Sequence, residues 1–252
     1  MTRTVRKAEL TRAYVLHHRP YRDTSRIIDL FSREQGRLTL FARGARGPKS
    51  RSASLLRPFV PLLVSWRGHG DAAQLTAVEL AGDAASGAPT PGLAALPAAA
   101  VMPAFYLNEL ILKLTTRDDP QVELFDAYAE ALAALAAGSV PEPPLRAFER
   151  RLLDVLGYGV DLVAEMDTGR AIDPDGRYVY RPGQGVQRCV ADAPGAVAGG
   201  SLLRLAAGSL SAPGELEDAR RVLRAALDYC LEGRELATRA VARAVAGKER
   251  HR

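Results

Sequence analysis

Arg37, Arg43, Arg46, Lys49 and Arg51 lie within one stretch, GRLTLFARGARGPKSR, at residues 36–51, and no Asp or Glu occurs between Gly36 and Arg57. Cations without counter-ions in a Gly-rich segment suit the neutralisation of phosphates along a nucleic-acid backbone. On a strand, Leu38, Leu40 and Ala42 share one face, while Arg37, Thr39, Phe41 and Arg43 share the other. An aromatic ring between two guanidiniums can stack a base while the cations hold the flanking phosphates. Phe41 taken alone also suits half-buried packing. The following loop, residues 44–51, sets Arg46, Lys49 and Arg51 on a backbone loose enough to follow irregular phosphates. Arg19 and Arg22, on either side of Pro20-Tyr21, join the expected set of nucleic-acid contacts.

Other chemistries find little support. GARGPK lacks the four-residue spacing of a phosphate-binding P-loop, and Pro48 removes a backbone N–H that such a loop would aim at phosphate. No GxSxG nucleophile turn is present. His17 and His18 are adjacent, so on a strand they point to opposite faces and cannot chelate one ion together. Cys189 and Cys230 are the only cysteines and stand outside any CxxC spacing, as expected of free thiols in a cytoplasmic protein. The expected function is binding without catalysis, with no cofactor.

Charge distribution supports this reading. The 252 residues carry a net charge of +5. Residues 1–51 hold thirteen Lys/Arg against four Asp/Glu, whereas the rest of the chain is mildly acidic. A basic end on an acidic body points to a polyanionic partner for one domain. The N-terminus, MTRTVRKAELTR, has no apolar core of a secretory signal. The most apolar long stretch, residues 93–114, is interrupted by Pro97 and Pro103 and carries Asn108 and Glu109, so no membrane association is expected.

The elements that must position these residues are of two kinds, an α+β composition. RAYVLHHR, SRIIDLF, RLTLFAR, FVPLLVSW and AQLTAVEL read as five short strands with no helical period between them. Closing them into a small barrel would remove exposed edges. A Gly/Pro/Ala-rich hinge begins at residue 81, and helical periodicity follows. The expected division is a barrel over 1–80, a linker over 81–96 and a helical domain over 97–252, with an irregular hairpin insertion at about 160–190. After PEPP, a helix over 144–156 carries the apolar stripe Leu145, Phe148, Leu152, Leu153 and Leu156, ended by Gly157. The stripe suits core packing. With Arg146, Arg150 and Arg151 bordering it, the stripe also suits a groove for an acidic peptide that ends in a hydrophobic residue. A terminal helix places Arg239 and Arg243 on one side, favourable either to its own dipole or to further nucleic-acid contact.

Two signatures, AYVLHHRPYRDTSRIIDLFSREQGRLTLFARGAR near the start and PEPPLRAFERRLLDVLGYGVDL later, resemble the bacterial RecO family over about residues 10–163, with YLNELILKL in the same order between them. The resemblance implies an N-terminal OB-fold barrel, a helical domain and a zinc-ribbon-like insertion. It implies a recombination mediator that binds single- and double-stranded DNA and anneals strands coated by single-stranded-DNA-binding protein (SSB). With RecR, such a mediator helps load RecA. It also implies that the SSB tail docks on the helical domain, with Arg146 where the family motif carries an Arg linked to tail binding; joined to the groove reading of the same helix, this makes Arg146, Phe148, Arg150 and Leu153 the expected contacts. Many members carry four cysteines after LGY, but the corresponding segment here offers only Cys189, so no zinc is expected. An RNA-binding or ribosome-associated OB protein is the alternative, because such barrels serve both nucleic acids.

Overall fold

A computed structural model describes residues 7–45, 51–68, 73–82 and 95–249. Five strands, β1 (Lys7–Tyr21), β2 (Ser25–Ser32), β3 (Gly36–Ala42), β4 (Leu62–Arg67) and β5 (Gln74–Leu80), close into a barrel in the order β1-β2-β3-β5-β4. One long strand makes closure possible. Residues 13–21 of β1 pair with β2 and residues 7–13 pair with β4, and the register shifts at Ala8/Thr11 and Val15/His17 let the strand turn from one partner to the other. Ala13, Val15, Ile28, Leu30, Leu38, Leu40, Leu62, Val64 and Trp66 fill the interior. A short helix, α1 (Arg51–Leu55), begins at the end of the expected loop 44–51 and leads to the fully buried Leu56 of the barrel core.

Two helices, α2 (Ala98–Leu114) and α3 (Val122–Ala136), pack on the barrel. Pro103 lies inside α2 as its sixth residue, where its missing N–H removes one bond to the preceding turn. Asn108 ties α2 to the strand irregularity in β1. Its amide nitrogen donates to the Leu16 carbonyl at 2.9 Å, and its oxygen accepts from the Tyr128 hydroxyl of α3. Burial pushes the pKa of Tyr128 well up, so the phenol stays a donor. Tyr14 and Phe31, on the outer face of β1 and β2, meet Phe125 and Tyr128 at ring separations of 5.1 to 6.0 Å. Gly36 opens β3 with φ +71°, and a Cβ there would fall 1.9 Å from the Asp119 carbonyl oxygen. Only glycine satisfies both the turn and this approach.

Compact units therefore divide at Ser139/Val140, so α2 and α3, expected with the second domain, belong with the barrel. The physical reason is that one outer face of β1–β2 is apolar and aromatic, and these helices bury it.

The second unit contains α4 (Glu142–Val155), β6 (Arg177–Arg181), β7 (Gly185–Arg188), β8 (Val197–Ala198), α5 (Gly199–Ala207), α6 (Pro213–Leu231) and α7 (Ala237–Glu249). α4 ends as the sequence predicts: Gly157 takes φ +79°, and the Tyr158 N–H returns to the Leu153 carbonyl at 2.9 Å. β6 and β7 form the small hairpin around RYVYR, with β8 as a third strand. No helix among the described residues is long and apolar enough to cross a membrane.

The insertion gives no fit for zinc. Among the described residues, no group of three His, Cys, Asp or Glu side chains is placed to hold a metal. The segment before β6 is instead closed by hydrogen bonds. The Thr168 hydroxyl donates to the buried Glu165 carboxylate at 2.5 Å, and the backbone N–H groups of Glu165 and Gly169 bond the Arg170 and Glu165 carbonyls.

Candidate nucleic-acid interface

The strand register decides which side chains share a surface. Across β1, β2 and β3, Arg19 stands opposite Ile27 and Ile27 opposite Phe41; one step along, His17, Asp29 and Thr39 form a second row. Both rows point outward, because Ile28 and Leu40, which alternate with them, are fully buried in the core. Side chains directly opposite one another across strands lie close enough to form one continuous surface. The outer face therefore carries Arg19, Ile27 and Phe41 in line. Tyr21 and Arg22 complete one end. The Tyr21 ring meets Phe41 edge-on at 5.1 Å, and the Arg22 guanidinium stands 5.4 Å from the Tyr21 ring centre. Arg43, exposed just beyond β3, closes the same end.

Four of the expected contacts, Arg19, Arg22, Phe41 and Arg43, are thus gathered around a half-buried aromatic pair. Arg19 and Arg43 are exposed and make no ion pair with another described residue. Tyr21 and Ile27 belong to the same surface but went unrecognised in the sequence. The available signal was the register after the β1 irregularity, which puts Arg19 and Tyr21 on one face.

The adjoining row is held by its own contacts. Asp29 accepts the Thr39 hydroxyl at 2.7 Å and lies 3.6 Å from His17 Nδ1. His18 projects the other way, and burial, followed by the nearby Arg26 and His17, pushes its pKa down.

Arg37 does not join this surface. It is the second residue of β3, whereas Arg43 follows the end of that strand, and Arg37 Nη2 donates to the Thr115 carbonyl at the end of α2 at 2.8 Å. Its Nε is buried without a hydrogen-bond partner, and its pKa is lowered by burial and then by the neighbouring Arg117. The strand alternation places Arg37 outward, but on this end of the barrel it meets the connection between α2 and α3, at Thr115, Arg117 and Asp118. Arg33, likewise, makes a two-pronged contact with Asp126 of α3, both bonds 2.8 Å, which holds the Asp126 carboxyl below its usual range. Arg46 and Lys49 lie outside the described residues. Arg51 begins α1, and its side chain is not described.

The expected peptide groove on α4 takes another form. Arg146 is only 6% exposed and donates to Glu149 Oε1 at 2.9 Å, while Phe148 and Leu153 are each 1% exposed. These residues are core, so the apolar floor is covered and Arg146 is not on a rim. Periodicity shows that a stripe is apolar, and here both the stripe and the flanking Arg146 are buried. Arg150 is partly exposed, but its Nη1 caps α5 by donating to the carbonyls of Leu205 and Ala206 at 2.8 and 2.6 Å. Arg239, on α7, is ion-paired with Asp228 of α6.

Similarity to known proteins covers both units. The family model for the recombination protein O N terminal region matches residues 7–83, and that for the recombination protein O C terminal region matches residues 98–240. The first match ends at residue 83 and the second begins at residue 98, at the start of α2. The DNA repair protein RecO of Azoarcus sp. (strain BH72) is 41% identical over 234 residues, spanning 91% of this chain and 93% of the relative. That of Pseudomonas aeruginosa (strain LESB58) is 44% identical over 226 residues, spanning 90% and 91%. That of Dechloromonas aromatica (strain RCB) is 41% identical over 241 residues, spanning 93% and 95%.

Proposed function

Because the chain belongs to the RecO family and so has its role in DNA repair, we propose that it works without catalysis as a recombination mediator, binding DNA through the outer face of β1–β2–β3. The observation that carries this reading is the open cluster of Arg19, Arg22 and Arg43 around the Tyr21–Phe41 pair. The guanidiniums neutralise backbone phosphates and the aromatic pair gives unpaired bases a surface to stack on. Two complementary strands repel each other through their phosphates. A cationic surface that screens one strand lowers that repulsion and favours their encounter, which is the physical content of annealing.

Annealing of SSB-coated strands, cooperation with RecR and loading of RecA follow from the family resemblance. Docking of the SSB tail on α4 would require Arg146 to exchange Glu149 for a tail carboxylate, because the guanidinium is already enclosed. The test is annealing of SSB-coated complementary strands, with SSB either intact or lacking its last residues. R19Q/R43Q is expected to slow annealing on naked and coated strands alike, whereas tail removal should slow it only on coated strands. Annealing unaffected by R19Q/R43Q would overturn the proposed face. Tighter binding to RNA than to matched DNA at equal salt would favour an RNA-binding role.

A further inference from the structure

The cleft between α6 and α7 lies in the helical unit and plays no part in the barrel face. It has a volume of about 220 Å³ and is lined by Arg224 and Asp228 of α6, Arg234 and Glu235 of the connection, and Arg239 and Arg243 of α7. Four guanidiniums here face two carboxylates. Arg234 caps α6, donating to the Leu231 carbonyl at 2.9 Å and the Cys230 carbonyl at 3.1 Å. Asp228 is shared: Arg224 Nε stands 3.7 Å from one carboxylate oxygen and Arg239 donates to the other. Arg243, one turn along α7 from Arg239, is exposed and makes no ion pair with another described residue. By contrast, the other exposed arginines of α6, Arg220 and Arg221, are balanced by Glu217 and Asp218.

Positive charge is therefore left over in a concave site. Its occupant should be an oxyanion. The leucines at the cleft, Leu231 and Leu236, are each 3% exposed, so neither is available to the hydrophobic end of an acidic peptide. A phosphate needs only the guanidiniums, and it can replace Asp228 as the counter-ion of Arg224 and Arg239.

We infer that the α6–α7 cleft is a second phosphate-binding site, which takes the backbone of single-stranded DNA independently of the barrel face. This rests on reading the chain as DNA-binding. With one strand on the barrel and another in the cleft, a single chain would hold two strands at high effective concentration, as annealing requires.

The test uses the full chain and short labelled oligothymidylates, titrated for stoichiometry and for the salt dependence of affinity. Wild type should bind two strands, and R224Q/R243Q one. In an R19Q/R22Q/R43Q background the remaining binding should show a log–log salt slope near −1.4, from about 0.7 per phosphate contact for two contacts. Adding R224Q/R243Q to that background should weaken binding about 25-fold at roughly 0.1 M salt, by the same relation. R243K, which keeps the charge, should retain most of it. One strand per wild-type chain, with R224Q/R243Q indistinguishable from wild type, would overturn the inference while leaving the barrel face intact. If the barrel variants were equally without effect, the DNA-binding reading itself would fail. Polyglutamate bound in the cleft and lost in R224Q/R243Q, with DNA affinity unchanged, would assign the site to a peptide and refute the inference.

Discussion

Arg37 and Arg43 lie on the same strand pattern, yet the fold gives them opposite work. Replacing Arg19, Arg22 and Arg43 together by Gln removes three exposed cations from the face that carries Tyr21 and Phe41. If each holds one phosphate of a single strand, the log–log salt slope becomes less negative by about 2, at roughly 0.7 per contact. At about 0.1 M salt that corresponds to roughly a 100-fold loss of barrel-face affinity. Stability should hardly change, because exposed cations contribute little to it. Arg37→Gln should behave in the opposite way. It loses the charge-assisted bond to the Thr115 carbonyl, which joins β3 to the end of α2. A bond of that type contributes about 1.5–3 kcal/mol, partly offset here by relief of a half-buried charge with one unpartnered nitrogen. A net loss near 1 kcal/mol would lower the melting temperature by a few degrees, about 3–5 °C for a unit of this size. The salt slope should remain that of wild type. Fluorescence anisotropy across a salt series and thermal melts by circular dichroism separate the two outcomes. A triple variant with an unchanged slope, or an Arg37→Gln protein with the shallower slope, would refute the assignment.

Gly36→Ala should destabilise the barrel unit by about 3 kcal/mol or more, combining a left-handed backbone cost with the collision at the Asp119 carbonyl. A denaturant titration reads this directly, and an unperturbed midpoint would contradict the close approach. Asn108→Leu removes the bonds that Asn108 makes to the Leu16 carbonyl and the Tyr128 hydroxyl, a cost of about 2–4 kcal/mol, while adding Tyr128→Phe should recover part of it. His18 has a folded-state pKa below that of the unfolded chain, so the unfolded state takes up its proton first. Stability should therefore fall as pH drops below about 6.5 and level off once the folded-state group also protonates, and His18→Gln should flatten that limb of the pH–stability curve.

Local pattern carried much of the fold. Alternation in RLTLFAR fixed which residues of β3 face the core, and the result is the observed burial of Leu38, Leu40 and Ala42. The spacing of Leu145, Phe148, Leu152 and Leu153 with Gly157 marked α4 and its end, because these features depend on neighbours along the chain. Of the interface, the basic bias of residues 1–51 and the face shared by Phe41 and Arg43 were visible in advance. Packing partners were not. That Arg37 bonds the Thr115 carbonyl just past α2, that Arg146 and Glu149 are buried, and that α2 and α3 join the barrel are decided by elements distant in sequence. Periodicity tells which side of an element is apolar, but not what comes to cover it. By itself the sequence determined the strand and helix order, the concentration of positive charge in the N-terminal barrel and the family. Tertiary structure alone decided which of those charges remain exposed to meet a phosphate, because a guanidinium's availability depends on the carbonyls and carboxylates folded against it.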